Sequence, residues 1–110
     1  MPLSARARIE VFLPDLLTLP SQELLIRFNQ EFSYTFGGAT IVRGLDGSYL
    51  SNLGHPVRDR INLIFTDSPF SFEQNFALLS AYTDNLRQAV LDALEEEAAL
   101  VCALPIYHSE

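Results

Sequence analysis

The sequence predicts an α+β fold in which a four-stranded antiparallel sheet carries two helices on one face. Three observations lead there. Val57–Asp67 alternates, with Ile61, Leu63 and Phe65 at odd positions and Asn62, Ile64 and Thr66 at even ones, the period of a half-buried strand. Two other stretches repeat their apolar residues at helical spacing. The segments follow the order β-α-β-β-α-β, which with right-handed crossovers is the split βαβ arrangement.

Strand one is read from Ala7 to Leu13. Ile9, Val11 and Leu13 fall on one face and Arg8, Glu10 and Phe12 on the other, until Pro14 ends the run. Ser21 is the expected N-cap of helix one, its hydroxyl accepting from a free N–H of the first turn. Leu24, Leu25, Phe28 and Phe32 form that helix's apolar stripe, with Arg27, Gln30 and Glu31 facing away. Gly37-Gly38 stops it, because glycine takes the left-handed conformation without steric cost. Strand two follows as Gly38–Arg43. Gly44–Pro56 reads as a long connection with the Gly, Asn, Asp and Ser content of turns.

Helix two opens on Ser71-Phe72-Glu73-Gln74, which fits a capping box, with Pro69 just upstream. Phe72, Phe76, Leu79, Leu86, Val90, Ala93 and Leu94 make its stripe; Asp84, Arg87, Gln88, Asp92 and Glu95 lie outside it. At about 1.5 Å per residue, roughly 25 helical residues span about 37 Å. Strand three, at roughly 3.3 Å per residue, covers nearly the same length. No glycine marks the helix exit, and Glu95-Glu96-Glu97 opposes the helix dipole there. That run is most simply a solvated face, although Glu97 could aim at the sheet end. Ala98–Tyr107 supplies the last strand, with Pro105 placing it at an edge.

A chain of 110 residues corresponds to one domain, residues 1–110. With 48% apolar residues, including eight Phe and four Tyr, it can build its own core. The single cysteine, Cys102, excludes an internal disulfide and reads as a small buried hydrophobe. The net charge is −7, and all seven basic residues are arginine. Such a chain repels a phosphate backbone over most of its surface, so no nucleic-acid partner is expected. No apolar run approaches the roughly 20 residues of a membrane span, and the N-terminus lacks a signal-peptide core. A cytoplasmic location with no membrane partner follows as the expectation.

The uncovered sheet face is where a site is expected. Parity sends Arg8, Glu10 and Phe12 there from strand one, and Arg58, Arg60, Asn62, Ile64 and Thr66 from strand three. Arg58 and Arg60, with Arg43, can clamp a small anionic ligand through the planar guanidinium fork. Alternatively they pair with Glu10 and Asp59 across strands or line a subunit interface. Phe12 and Ile64 on this face point to self-association, with a face-to-face dimer as the simplest closed form. Tyr49 and His55 are the functional side chains of the long connection. Asp59 shares the parity of Val57 and Ile61, so it is expected toward the helices, either as a general base or as a structural acceptor. His55, His108 and Cys102 have no metal-ligand spacing, and no phosphate loop or nucleophile elbow is present, so no metal and no cofactor are expected.

In element order the chain resembles the ferredoxin-like superfamily over nearly its whole length. Phe36-Gly37-Gly38-Ala39-Thr40, Gly47-Ser48-Tyr49 and Val57-Arg58-Asp59 are similar to a pattern of small uncharacterised bacterial proteins of that fold. The resemblance implies no activity but directs attention to Thr40, Tyr49 and Asp59. Gly38–Gly44 also resembles the second strand of the PII nitrogen-regulatory proteins, with a long loop after it and Pro105 near the end of the last strand, which implies a trimeric nucleotide sensor. The chain departs from that family in having no lysine and no glycine-rich segment before its last strand. RNA binding by the open sheet, which this fold also hosts, lacks its stacking aromatics on strand three.

Two functions are carried forward. One is a non-catalytic, self-associating binding or regulatory module. The other is a small cofactor-independent enzyme of the dimeric α/β-barrel kind, with a pocket around Tyr49, His55, Asp59 and Arg60. The first rests on the bare face, the second on convergent polar groups that need a water-excluding cavity.

Overall fold

The computed structural model describes residues 3–94 and 99–109. The element order is β1 (Leu3–Pro14), α1 (Leu19–Phe36), β2 (Thr40–Leu50), β3 (Pro56–Asp67), α2 (Phe76–Leu94) and β4 (Leu100–Ser109). The four strands form one antiparallel sheet in the order β2-β3-β1-β4. This is the predicted α+β, ferredoxin-like arrangement. The Glu95–Glu97 run lies outside the described residues.

The core lies between the helices and one sheet face. β1 contributes Ala7, Ile9, Val11 and Leu13, α1 contributes Leu24, Leu25, Phe28 and Phe32, and α2 contributes Leu79, Leu86 and Val90. Phe28 stacks on Phe32, and Phe36 meets both Phe70 and Tyr82 edge-on, so aromatic contacts join α1 to α2 and to the chain leading into it. The Tyr82 hydroxyl donates to Glu31 Oε1 at 2.9 Å, and burial beside that carboxylate pushes its pKa well above the ordinary tyrosine value.

The register of β1 with β3 corrects the expected parity of strand three. Val11 lies opposite Ile64, and both are fully buried under the helices. Directly opposed residues of an antiparallel pair point to the same side. The even row, Arg58, Arg60, Asn62, Ile64 and Thr66, therefore faces the helix side, and Asp59 with the odd row faces the other way. Ile64 is a core residue rather than an interface one. Phe12, opposite Leu63, stands on the uncovered face as expected.

The polar members of the buried row are paired, which is what makes their burial tolerable. Thr66 Oγ1 donates to the Gly38 carbonyl at 2.6 Å. Asn62 Oδ1 accepts from the Gly44 N–H at 3.0 Å, and its Nδ2 donates to Asp15 at 3.3 Å. Further along the chain, Ser68 Oγ donates to the Ala7 carbonyl at 3.0 Å.

Several local expectations change. Thr18, not Ser21, is the N-cap residue of α1; Ser21 is buried and its hydroxyl donates to the Pro14 carbonyl. Gly37 ends α1 at φ 94°, its N–H bonded to the Ser33 carbonyl, as expected. Ser71 Oγ accepts from the Gln74 N–H at 3.5 Å, and regular helix begins only at Phe76. Gly44–Pro56 is not a long connection. β2 runs on to Leu50, and a tight turn at residues 51–55 closes with Gly54 at φ 80°. What mimicked a loop is a bulge: Val42 pairs with Leu63 and Leu45 with Ile61, leaving Arg43 and Gly44 against Asn62. The PII likeness loses its long loop at the same place.

β3 pairs with β1 only from Ile61 onward, so residues 40–60 end in a two-stranded arm beyond the rest of the sheet. The molecule is accordingly 49 × 29 × 25 Å with a radius of gyration of 15.1 Å. A compact chain of this length has a radius of about 13 Å.

On the uncovered face Arg8 grips Asp67 with two bonds, Nε to Oδ1 at 2.6 Å and Nη2 to Oδ2 at 3.0 Å. The guanidinium also lies 4.4 Å over the Phe65 ring. The hydrogen bond from Arg8 holds the Asp67 carboxyl below its ordinary pKa. Because the folded pKa is the lower one, this pair stabilises fully above the unfolded value near 4 and is lost as pH falls through the folded one. Thermal melts from pH 6 to 2 should therefore show an acid limb that is shallower in Asp67→Asn. At the bulge, Gly44 has φ 70°, and a Cβ there would lie 2.6 Å from Arg60 Nη2. Gly44→Ala should cost roughly 1–2 kcal/mol from the left-handed backbone alone, read as a lower urea midpoint at unchanged slope.

Candidate functional site

The structure divides the predicted site residues between two surfaces. The first is the uncovered sheet face. β3 places Ile61, Leu63 and Phe65 on it, β1 adds Phe12, and register adds Val42 and Leu45 from β2. From β4, Leu100, Cys102 and Leu104 lie opposite Phe12, Glu10 and Arg8. Neither helix covers this face. Its polar rungs include Arg6, Glu10 and the Arg8–Asp67 pair. Thr40 also stands here, opposite Phe65 and seven residues along β3 from Arg58. That is roughly 23 Å at strand spacing, too far for Thr40 to share a ligand with the arginines.

Cys102 is half-buried in the middle of the face rather than in the core. Burial first, and then the nearby Glu10 carboxylate, push its thiol pKa up, so it is a poor nucleophile in this setting. At the far end of β4, His108 Nε2 is shielded from solvent and has no hydrogen-bond partner. His108 faces the same side, opposite Ser4.

The second surface is the arm. Arg58 and Arg60 project from the helix-side pleat of β3, opposite Ser48 and Asp46 of β2. With Gly47 and Asp59 they line an open concavity of about 700 Å³. Arg60 Nε lies 3.9 Å from Asp15 Oδ2. Arg58 forms no ion pair with any described residue, so the expected cross-strand pairing with Glu10 does not occur. Arg43 is separated from them: it lines a smaller concavity of about 290 Å³ with Asp15, Ser21, Leu25 and Asn62, between the bulge and the start of α1. Only two of the three arginines are thus brought together.

The residues proposed for catalysis do not converge. Tyr49 is 56% exposed on the arm, opposite Val57. Asp59 lies opposite Gly47 on that same outward pleat, away from the helices. His55 is exposed in the hairpin turn, its N–H donating to Ser51 Oγ at 3.2 Å. Among the described residues no group of three or more His, Cys, Asp or Glu side chains is placed to hold a metal ion. No described helix is long and apolar enough to cross a membrane.

Sequence reasoning missed two features, the apolar odd row as the bare one and the bulge at Arg43-Gly44. Asn62 and Thr66 pointed the other way, because their polar groups are buried only where Gly44, Asp15 and Gly38 reach them.

No protein-family model matches the chain, and no curated protein does either. Solved structures do. CutA1 from Oryza sativa matches with a TM-score of 0.61 at 18% identity, over 98% of this chain and 85% of that one. The divalent cation tolerance protein (Cut A1) from Thermus thermophilus matches at 0.60 and 18%, over 96% and 87%. The likeness is one of fold: this chain is built on the same ferredoxin-like α+β arrangement as the CutA1 structures.

Proposed function

We propose that the chain is a non-catalytic module that assembles with copies of itself through the uncovered sheet face. One observation carries this reading. β3 buries its more polar row, with Asn62 and Thr66, beneath the helices and leaves Ile61, Leu63 and Phe65 half-exposed. Apolar surface gains roughly 25 cal/mol per Å² on leaving water, so this face is stabilised by a cover that the chain's helices do not supply.

Area supports the same conclusion. The chain exposes 7337 Å², whereas a compact monomer of 12.3 kDa exposes about 6,100 Å². The excess, roughly 1,200 Å², exceeds the roughly 800 Å² that each partner buries in a standard interface. A second copy is the fitting cover, because it offers the same apolar row with the same Glu10 and Arg8–Asp67 rungs for complementary pairing. A face-to-face dimer is the smallest closed form. Tyr49, His55 and Asp59 stand on an open arm rather than around one enclosed cavity, which favours the module over the enzyme.

Divalent cation tolerance, named for the Thermus protein, is a second reading favoured by the net charge of −7. No ligand cluster is placed for a metal among this chain's described residues, so such a site would draw ligands from outside them or from a second copy.

Sedimentation equilibrium at micromolar concentration should give a multiple of 12.3 kDa; a clean monomer would sink the assembly reading. Leu63→Glu should weaken association at least about tenfold while leaving the far-ultraviolet spectrum unchanged, since a charge would then be buried at the interface. Cys102 provides an independent readout. Its reaction with a thiol reagent should be slow in the assembled protein and several-fold faster in the Leu63→Glu variant. Zinc titration of both forms separates the second reading, because binding confined to the assembled form requires ligands from more than one copy.

A further inference from the structure

We propose that the helix-side face of the β2–β3 arm is a binding site for a small, singly charged oxyanion, with a carboxylate as its first candidate. Arg58 and the Ser48 hydroxyl hold the anion, and Arg60 is the second cation.

What marks this place is two arginines on one pleat of the arm. The chain has fourteen acidic side chains and seven arginines, and Arg58, like Arg27, Arg43 and Arg87, pairs with no described carboxylate. Its cross-strand neighbour is Ser48, an exposed hydroxyl able to donate, not an acid. An unpaired guanidinium beside a hydroxyl presents convergent donors, which is the complement of a carboxylate or a phosphate ester.

Arg60 is positioned from behind. The bulge brings Gly44 under its guanidinium: a Cβ there would stand 2.6 Å from Nη2, so the guanidinium would have to shift. Asp15, itself hydrogen-bonded by the buried Asn62, lies 3.9 Å from Nε on one side. Arg60 is thereby held two residues along the same pleat from Arg58, about 7 Å away at strand spacing.

Asp46, opposite Arg60 on the same pleat, sets the ligand class. Its carboxylate offsets part of the positive potential, so a polyphosphate would meet repulsion that a single carboxylate avoids. The concavity is open, leaving room for the rest of a larger molecule to extend into solvent. This site lies on the pleat opposite the row assigned to self-assembly, so the two proposals stand or fall separately.

The test is an amide-resolved NMR titration of the full chain with acetate, inorganic phosphate and pyrophosphate, with sodium chloride at matched ionic strength as the control. Acetate should give saturable shifts at Ser48, Arg58 and Arg60 that chloride does not reproduce. Arg58→Ala should weaken acetate binding at least about tenfold and Ser48→Ala a few-fold, with sedimentation unchanged in both. Asp46→Asn should tighten phosphate binding several-fold, a gain that misfolding cannot mimic. Shifts that follow ionic strength alone, an Arg58→Ala variant that binds as well as the parent, or pyrophosphate binding more tightly than acetate would overturn the proposal.

Discussion

The antiparallel pairing of Val11 with Ile64 is the constraint on which the rest of the molecule depends. β1 is central in the sheet and puts Ala7, Ile9, Val11 and Leu13 under the helices. Once Val11 sits opposite Ile64, every side chain of β3 is assigned a face, because a slip by one residue would exchange the two rows completely. The register therefore decides which side of the molecule is core and which is left for contact.

That assignment is at odds with simple hydropathy. The row of β3 under the helices holds Asn62 and Thr66, and the row left outside holds Ile61, Leu63 and Phe65. The inner polar groups are satisfied by Gly44, Asp15 and Gly38, so their burial carries little penalty. The outer row has no comparable settlement within one chain. The excess of accessible surface over that of a compact monomer measures the same imbalance on the scale of the whole molecule.

The bulge at Arg43-Gly44 has the second-largest influence. By opposing two residues to Asn62, it puts Val42 and Leu45 on the same outer face, although a regular strand would send them to opposite ones. Beyond it the arm runs past the end of β1. Arg58 and Arg60 are thus set on one pleat of the arm, clear of the helices, while the apolar row stays on the other side of the sheet. A single irregular rung separates the surface suited to assembly from the surface suited to an anion.

The element order, both helices, the glycine stop at Gly37 and the outward side of Phe12 were legible in the amino acids alone. They depend on local matters: side-chain spacing, and the left-handed backbone that glycine tolerates. The faces of β3, the burial of Ser21, the continuation of β2 through residues that look like a turn, and the separation of Arg43 and Thr40 from Arg58 were decided only by the folded chain. Each depends on a partner distant in sequence. Ile61–Phe65 is apolar enough on both faces that alternation cannot say which one lies inward. Gly44-Leu45-Asp46-Gly47-Ser48 has the composition of a loop until β3 pairs with it. Pairing and satisfaction of polar groups are properties of two segments at once, and periodicity describes only one.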